Sequence, residues 1–275
     1  AAAPGTLIPR DVPFGNPTRT QARLSPDGKY VSYIAPRDGV LNVWIAPYGK
    51  LDAAQPLTRD TKRGIRQHFW AYDGQHVLYL QDQGGDENWR VHSVEVSSGK
   101  DLDLTPIAGV QAQVVGMSPQ RPGVALVGLN DRKAEWHDLY EIDIASGARK
   151  LVEQNDQEFA GYVEDESLTP RLAVKSGADG DEMLVRNAKG GWDSLRKYGP
   201  EDTQTTGPLV IEGEGRTALI NSSIGRNTAA LVRVNLDTRA RRCSPRATGP
   251  TSPACGSSRA RGSPRRTRST TSSIR

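Results

Sequence analysis

Serine, histidine and carboxylate side chains are the groups in this sequence most able to do chemistry, and their spacing limits what they could do. A serine nucleophile of a hydrolase commonly sits on a tight strand-to-helix elbow, Gly-x-Ser-x-Gly, that projects its hydroxyl towards a histidine. The nearest match is Gly116-Met117-Ser118-Pro119-Gln120, which lacks the second glycine and carries a proline suited to a turn. Ser25-Pro26-Asp27-Gly28 reads as a turn for the same reason. The histidines, His68, His76, His92 and His137, show no paired metal-ligand spacing. Asp82, Asp86 and Glu87, in QDQGGDENW, offer clustered oxygens of the kind calcium takes, but the fuller ligand pattern is missing and a polar hairpin loop is the better reading. Gly177-Ala178-Asp179-Gly180 and Gly190-Gly191 lack the Gly-Lys-Ser/Thr of a phosphate loop. No catalytic residue, metal or cofactor is therefore expected. Loops carry contacts to ligands more often than strands do, so the candidates for touching a substrate are Arg66, Asp86, Glu87 and Asn88, which flank the best-preserved repeat.

That repeat is what must position them. One phrase returns along the chain: a turn-forming start, a β-rich run, a polar loop, a second β-rich run, and a short turn into an apolar strand. Its copies run over Leu24–Thr58, Trp70–Thr105, Gly116–Val152, Tyr162–Tyr198 and Leu209–Arg242, the last two more worn. Asp27-Gly28 recurs 46 residues on as Asp73-Gly74, and Gly99 recurs 48 on as Gly147. Asp-Gly favours turns because glycine accepts positive φ. Alternation of Tyr30, Ser32 and Ile34 against Val31 and Tyr33 predicts half-buried strands. Trp44, Trp89 and Trp136 fall at similar places in successive copies and read as packing between them. Four short strands per unit and a period in the forties predict an all-β protein, a β-propeller of four-stranded blades with about five legible and the set incomplete. The domain organisation expected is an N-terminal arm over 1–20, a partial propeller over 21–242 and a disordered, Arg/Ser-rich C-terminal tail over 243–275.

Charge is unevenly placed. Residues 240–275 hold nine of the 36 basic residues and none of the 32 acidic ones, so the remaining chain is net negative although the pI is near 9.1. A basic pI owed to one tail says nothing about what the folded part binds, and no nucleic-acid partner is expected. Both cysteines, Cys243 and Cys255, lie in the same tail. Its Arg, Ser, Thr, Pro, Ala and Gly are what GC-rich DNA yields in the wrong frame. Permissible codons for 243–272, read one nucleotide earlier, give acidic and apolar residues in alternation, so the tail reads as a frameshift without evolved function. No apolar run approaches the roughly 18 residues a membrane helix needs, and no membrane partner is expected. The opening Ala1-Ala2-Ala3-Pro4 fits the end left by signal-peptide cleavage, which predicts a periplasmic or secreted protein, with the cytoplasm as the alternative.

Several segments together resemble a known family. Leu7-Ile8-Pro9-Arg10, Phe14-Gly15-Asn16-Pro17, LSPDGKYVSYIAP, GVLNVWIAP, TKRGIRQHFWAYDGQHVLYLQDQGGDENWRVHSVEV and DLTPIAGVQAQVV look like the N-terminal propeller of prolyl-oligopeptidase-family serine peptidases, nearest the bacterial acylaminoacyl-peptidase and dipeptidyl-peptidase-like branch. The resemblance covers roughly residues 6–242. It implies a propeller of seven or eight blades that caps an α/β-hydrolase domain and admits peptides while excluding folded proteins. Only five blades are legible here and the hydrolase domain is absent, so the resemblance implies a truncated, inactive, substrate-gating propeller whose partners are that missing domain and the parent enzyme's peptide substrate. The alternative expectation is an independent propeller that binds another protein.

Overall fold

The computed structural model describes residues 9–15 and 18–243. Most of the expected tail, with its frameshift reading, lies outside the described residues, as do parts of the N-terminal arm. Residues 11–14 of the arm form one helical turn, α1 (Asp11–Phe14), in which the Phe14 amide donates to the Arg10 carbonyl.

Twenty strands follow, in five four-stranded antiparallel sheets, each made of consecutive strands in simple up-and-down order. Blade 1 comprises β1 (Thr20–Leu24), β2 (Tyr30–Arg37), β3 (Val40–Pro47) and β4 (Gln55–Pro56). Blade 2 comprises β5 (His68–Trp70), β6 (His76–Gln81), β7 (Arg90–Glu95) and β8 (Asp101–Asp103). Blade 3 comprises β9 (Ala112–Ser118), β10 (Arg121–Lys133), β11 (Trp136–Asp143) and β12 (Arg149–Glu153). Blade 4 comprises β13 (Gly161–Glu164), β14 (Pro170–Gly177), β15 (Gly180–Arg186) and β16 (Trp192–Tyr198). Blade 5 comprises β17 (Gly207–Glu212), β18 (Thr217–Ser222), β19 (Ala230–Asn235) and β20 (Arg241–Cys243). The Asp-Gly turns do what their chemistry allows: Gly28 and Gly74 sit at φ +71° and +67° between the first two strands of their blades. The Asp27 and Asp73 carboxylates accept from the amides of Lys29 and Gln75 and close each turn.

Apolar clusters lie between the sheets. Ile34 and Val43 of blade 1 meet Val77, Tyr79 and Val94 of blade 2. Leu78 and Val91 meet Ala125, Val127 and Ile142 of blade 3. Leu126 and Leu139 meet Leu168 of blade 4, and Met183 and Val185 meet Ile211, Ala218 and Val232 of blade 5. Each fully buried Val, Leu, Ile or Met among them contributes roughly 1.5–3 kcal/mol relative to an exposed one. The half-buried alternation expected of the strands does not hold in the blade centres. Val77, Leu78 and Tyr79 are all buried, as are Ala125, Leu126 and Val127. A blade sandwiched between two neighbours hides both faces, so its middle strands carry apolar residues at successive positions.

The blades pack in series, β1 beside β5, β7 beside β9, β9 beside β13 and β13 beside β17. Among the described residues, no strand of blade 5 packs against blade 1 as consecutive blades do. Blade 5 instead leaves Leu209, Val210 and Leu231 exposed. The described blades form an incomplete propeller.

Candidate functional site

Up-and-down order puts the first-to-second and third-to-fourth strand turns at one end of each blade. The second-to-third loop and the link to the next blade lie at the other. Arg66, in the link from β4 to β5, and Asp86, Glu87 and Asn88, in the β6–β7 loop, therefore share one face of the propeller.

That loop is built around its own polar groups. Gly84, Gly85 and Glu87 all have positive φ, which folds 82–89 tightly. The Arg63 guanidinium donates to both oxygens of the buried Asp82, at 3.2 and 2.8 Å. Asp86 accepts from the amides of Gln83 and Asn88, both at 3.1 Å, and more distantly from the Asn88 side chain. Desolvation pushes the Asp86 carboxyl up, but these hydrogen bonds together, with the nearby Arg90 charge, hold it below the usual range. Asp82, Asp86 and Glu87 do not converge on a common point: the first is committed to Arg63 and the second to its own loop. Glu87 contributes its carbonyl, which accepts from the Gln111 side chain at 3.3 Å, and the Trp89 carbonyl accepts from the Ala112 amide at 2.8 Å. The loop thus holds Trp89 against the first strand of blade 3.

Trp89 stands between two adjoining cavities. One, of about 480 Å³, is lined by Gln21, Arg23, Arg66, Gln67, Leu80 and Trp89. The other, of about 540 Å³, adds Phe69, Tyr72, Gln111, Gln113 and Met117. Shared Gln67, Leu80 and Trp89 make them one groove running across the first strands of blades 1 to 3. At its far end, Glu164 of β13 lies over Gly116 of β9, where a methyl group on Gly116 would fall 1.9 Å from the Glu164 carboxylate. Burial pushes the Glu164 carboxyl up, opposed by its own backbone amide. A larger cavity, about 780 Å³, opens between blades 1 and 2 at the turn end, where Asp27 pairs with Lys29 and Asp73 with His76, and Arg59 also lines it.

Of the four residues expected at the site, the structure places Arg66 on the groove, commits Asp86 and Asn88 to shaping the loop, and leaves the Glu87 side chain exposed beside it. Sequence reasoning missed Arg23, Gln67 and Glu164, and read Trp89 as packing alone. Ser118 is 2% exposed, and its hydroxyl donates to the Glu166 carbonyl of blade 4 while accepting from the Gln120 amide. His76 and His92 pair with Asp73 and Asp101. Among the described residues, no three metal-ligating side chains are grouped as a metal site requires.

No family model matches the chain. Dipeptidyl aminopeptidase BIII from Pseudoxanthomonas mexicana is 47% identical over 231 residues, which cover 84% of this chain and 34% of that protein. Dipeptidyl peptidase family member 6 from Caenorhabditis elegans is 31% identical over 194 residues, 66% of this chain and 25% of that protein. The chain therefore spans about a third of the length of the first of these relatives and a quarter of the second. Among solved structures, one from a study of two prolyl endopeptidases superposes with a TM-score of 0.59 over 82% of this chain and 35% of its own, at 13% identity, a likeness of fold alone.

Proposed function

The chain belongs with the propellers of prolyl-oligopeptidase-family peptidases, and from that premise we propose that it is the non-catalytic, substrate-gating part of a serine peptidase. In this reading the propeller admits and orients peptide, and an α/β-hydrolase domain outside this chain breaks the bond. The observation that carries it is the 47% identity to a dipeptidyl aminopeptidase across 84% of the chain. The groove supports it: Trp89, Phe69 and Leu80 offer apolar contact, and Gln67, Gln111 and Gln113 offer amide donors and acceptors suited to a peptide backbone. An independent binding module is the competing reading. The exposed Leu209, Val210 and Leu231 of blade 5 weigh against it, because a self-sufficient propeller would cover such a face.

Incubated with dipeptidyl-4-nitroanilides, the chain alone is expected to release no nitroaniline above the blank. Ser118→Ala should leave that baseline unchanged while costing about 1 kcal/mol of stability, through loss of the bond to Glu166. Turnover that follows the chain through purification and disappears in Ser118→Ala would overturn the non-catalytic assignment.

A further inference from the structure

We propose that the blade-1 end of the groove is a carboxylate-binding pocket, in which Arg23 and Arg66 hold the negative charge of a peptide while Trp89 and Gln67 support its chain. This rests on the reading of the groove as a peptide-facing surface and names the chemistry that surface selects.

The first observation is an imbalance of charge. Nine of the described arginines pair with carboxylates, among them Arg63 with Asp82, Arg121 with Glu141, Arg132 with Asp138, Arg171 with Asp165 and Arg186 with Glu153. Among the described residues, the guanidinium groups of Arg23 and Arg66 have neither an ion pair nor a hydrogen-bond partner, and no carboxylate lines the cavity they share. The field of Arg23 also reaches the buried His68 behind it and helps to keep that imidazole neutral.

The second observation is how the backbone delivers them. β1 does not pair evenly with β2: Thr20 faces Ile34 and Arg23 faces Ser32, so one extra residue is bulged out between them. Gln21 takes up that residue at φ +51°, a conformation non-glycine residues seldom adopt, and its side chain donates to the Arg66 carbonyl. Bulges of this kind re-aim side chains and end regular pairing beside functional sites. Here the bulge ties β1 to the β4–β5 link and puts both arginines on one cavity. A guanidinium presents a planar fork of donors that fits a carboxylate through two parallel hydrogen bonds. Two such groups around a cavity of about 480 Å³ suit the end or an acidic side chain of an extended peptide.

The test is fluorescence-anisotropy binding of the full chain to a labelled pentapeptide containing one glutamate and a free C-terminus. It is repeated with the C-terminus amidated, with the glutamate replaced by glutamine, and with inorganic phosphate as competitor. The double variant Arg23→Gln/Arg66→Gln should weaken binding about tenfold or more, as expected for loss of charge-assisted hydrogen bonds. Arg66→Lys should recover part of it, and Arg216→Gln, which removes one positive charge on blade 5, should leave it unchanged. Both groove arginines are exposed, so the melting temperature should not move. A tenfold loss on amidation assigns the pocket to the C-terminal carboxylate, and a loss only with the glutamine peptide assigns it to an acidic side chain. Either supports the proposal. Peptide binding indifferent to both arginines and to peptide charge overturns it while leaving the peptide-facing groove intact. No peptide binding, with or without phosphate binding, overturns both.

Discussion

Gly180→Ala is expected to destabilise the protein by about 3 kcal/mol, the largest effect of any single methyl group added to the described fold. Gly180 opens β15 directly opposite Gly177, at φ +113°. A Cβ there would fall 2.1 Å from the Tyr198 carbonyl oxygen and 2.8 Å from the Gly199 Cα. Those neighbours are backbone, so they cannot yield by a rotamer change. The end of β16 and the following 3₁₀ turn, Pro200–Asp202, would have to move together. Gly190→Ala is the control. It also has positive φ, +81°, but meets nothing within 4 Å, so it should cost only the backbone strain of about 1 kcal/mol. Urea unfolding of the two variants beside the parent separates clash from strain. Equal losses would mean that blade 4 accommodates the methyl group.

The second large effect is acid sensitivity seated at the junction of blades 1 and 2. Trp70 Nε1 donates to Ser32 Oγ at 2.9 Å, which leaves the Ser32 hydroxyl to donate to His68 Nε2 at 2.8 Å. That orientation is assigned from the hydrogen-bond network. His68 is fully buried and its Nδ1 has no partner. Desolvation, with a smaller contribution from Arg23, lowers its pKa to about 4. The unfolded chain, with an ordinary histidine near 6.5, then binds more protons than the native one as pH falls through that window. Stability is retained above about pH 6.5 and lost progressively towards pH 4, by about 3 kcal/mol in total. His137, lowered by its own burial, acts in the same direction. Glu164 acts against both, since its raised pKa makes the native state the better proton binder above the ordinary carboxyl range. The difference between the parent and His68→Gln isolates the histidine, because glutamine can still accept from Ser32 but does not titrate. Chemical denaturation at pH 7, 6, 5 and 4 should show a shallower decline in the variant. Parallel curves would place the acid sensitivity elsewhere.

Why was so much of the fold legible and so little of the groove? The blades announced themselves through turns. Asp27-Gly28 and Asp73-Gly74 must bend where they stand, and Gly99 and Gly147 reach φ +67° and +75° at matching turns after the third strand. What the strands hide was less visible, because alternation assumes one wet face and a sandwiched blade has none. At the groove, QDQGGDENW attracted attention by its charge, yet Asp82 is held by Arg63, and Asp86 and Asn88 bond within the loop they shape. The work of the loop is to place Trp89. Arg23 was hidden because nothing in Thr-Gln-Ala-Arg-Leu marks a bulge at Gln21. Every residue from Gln21 to Leu24 is exposed, Leu24 included, so the strand carries no core-facing alternation that would single it out. Glu164 lay in a worn repeat, and its position over Gly116 depends on two blades meeting, which no local pattern encodes.

Replacing the matching segment of Pseudoxanthomonas mexicana dipeptidyl aminopeptidase BIII, to which this chain is 47% identical, with residues 9–243 tests the central claim most directly. The account predicts a folded chimera that cleaves peptide substrates, with a rate that falls when Trp89→Ala is added on the groove. A folded chimera that hydrolyses no peptide, or one whose activity is indifferent to Trp89, would contradict a substrate-facing role for this propeller.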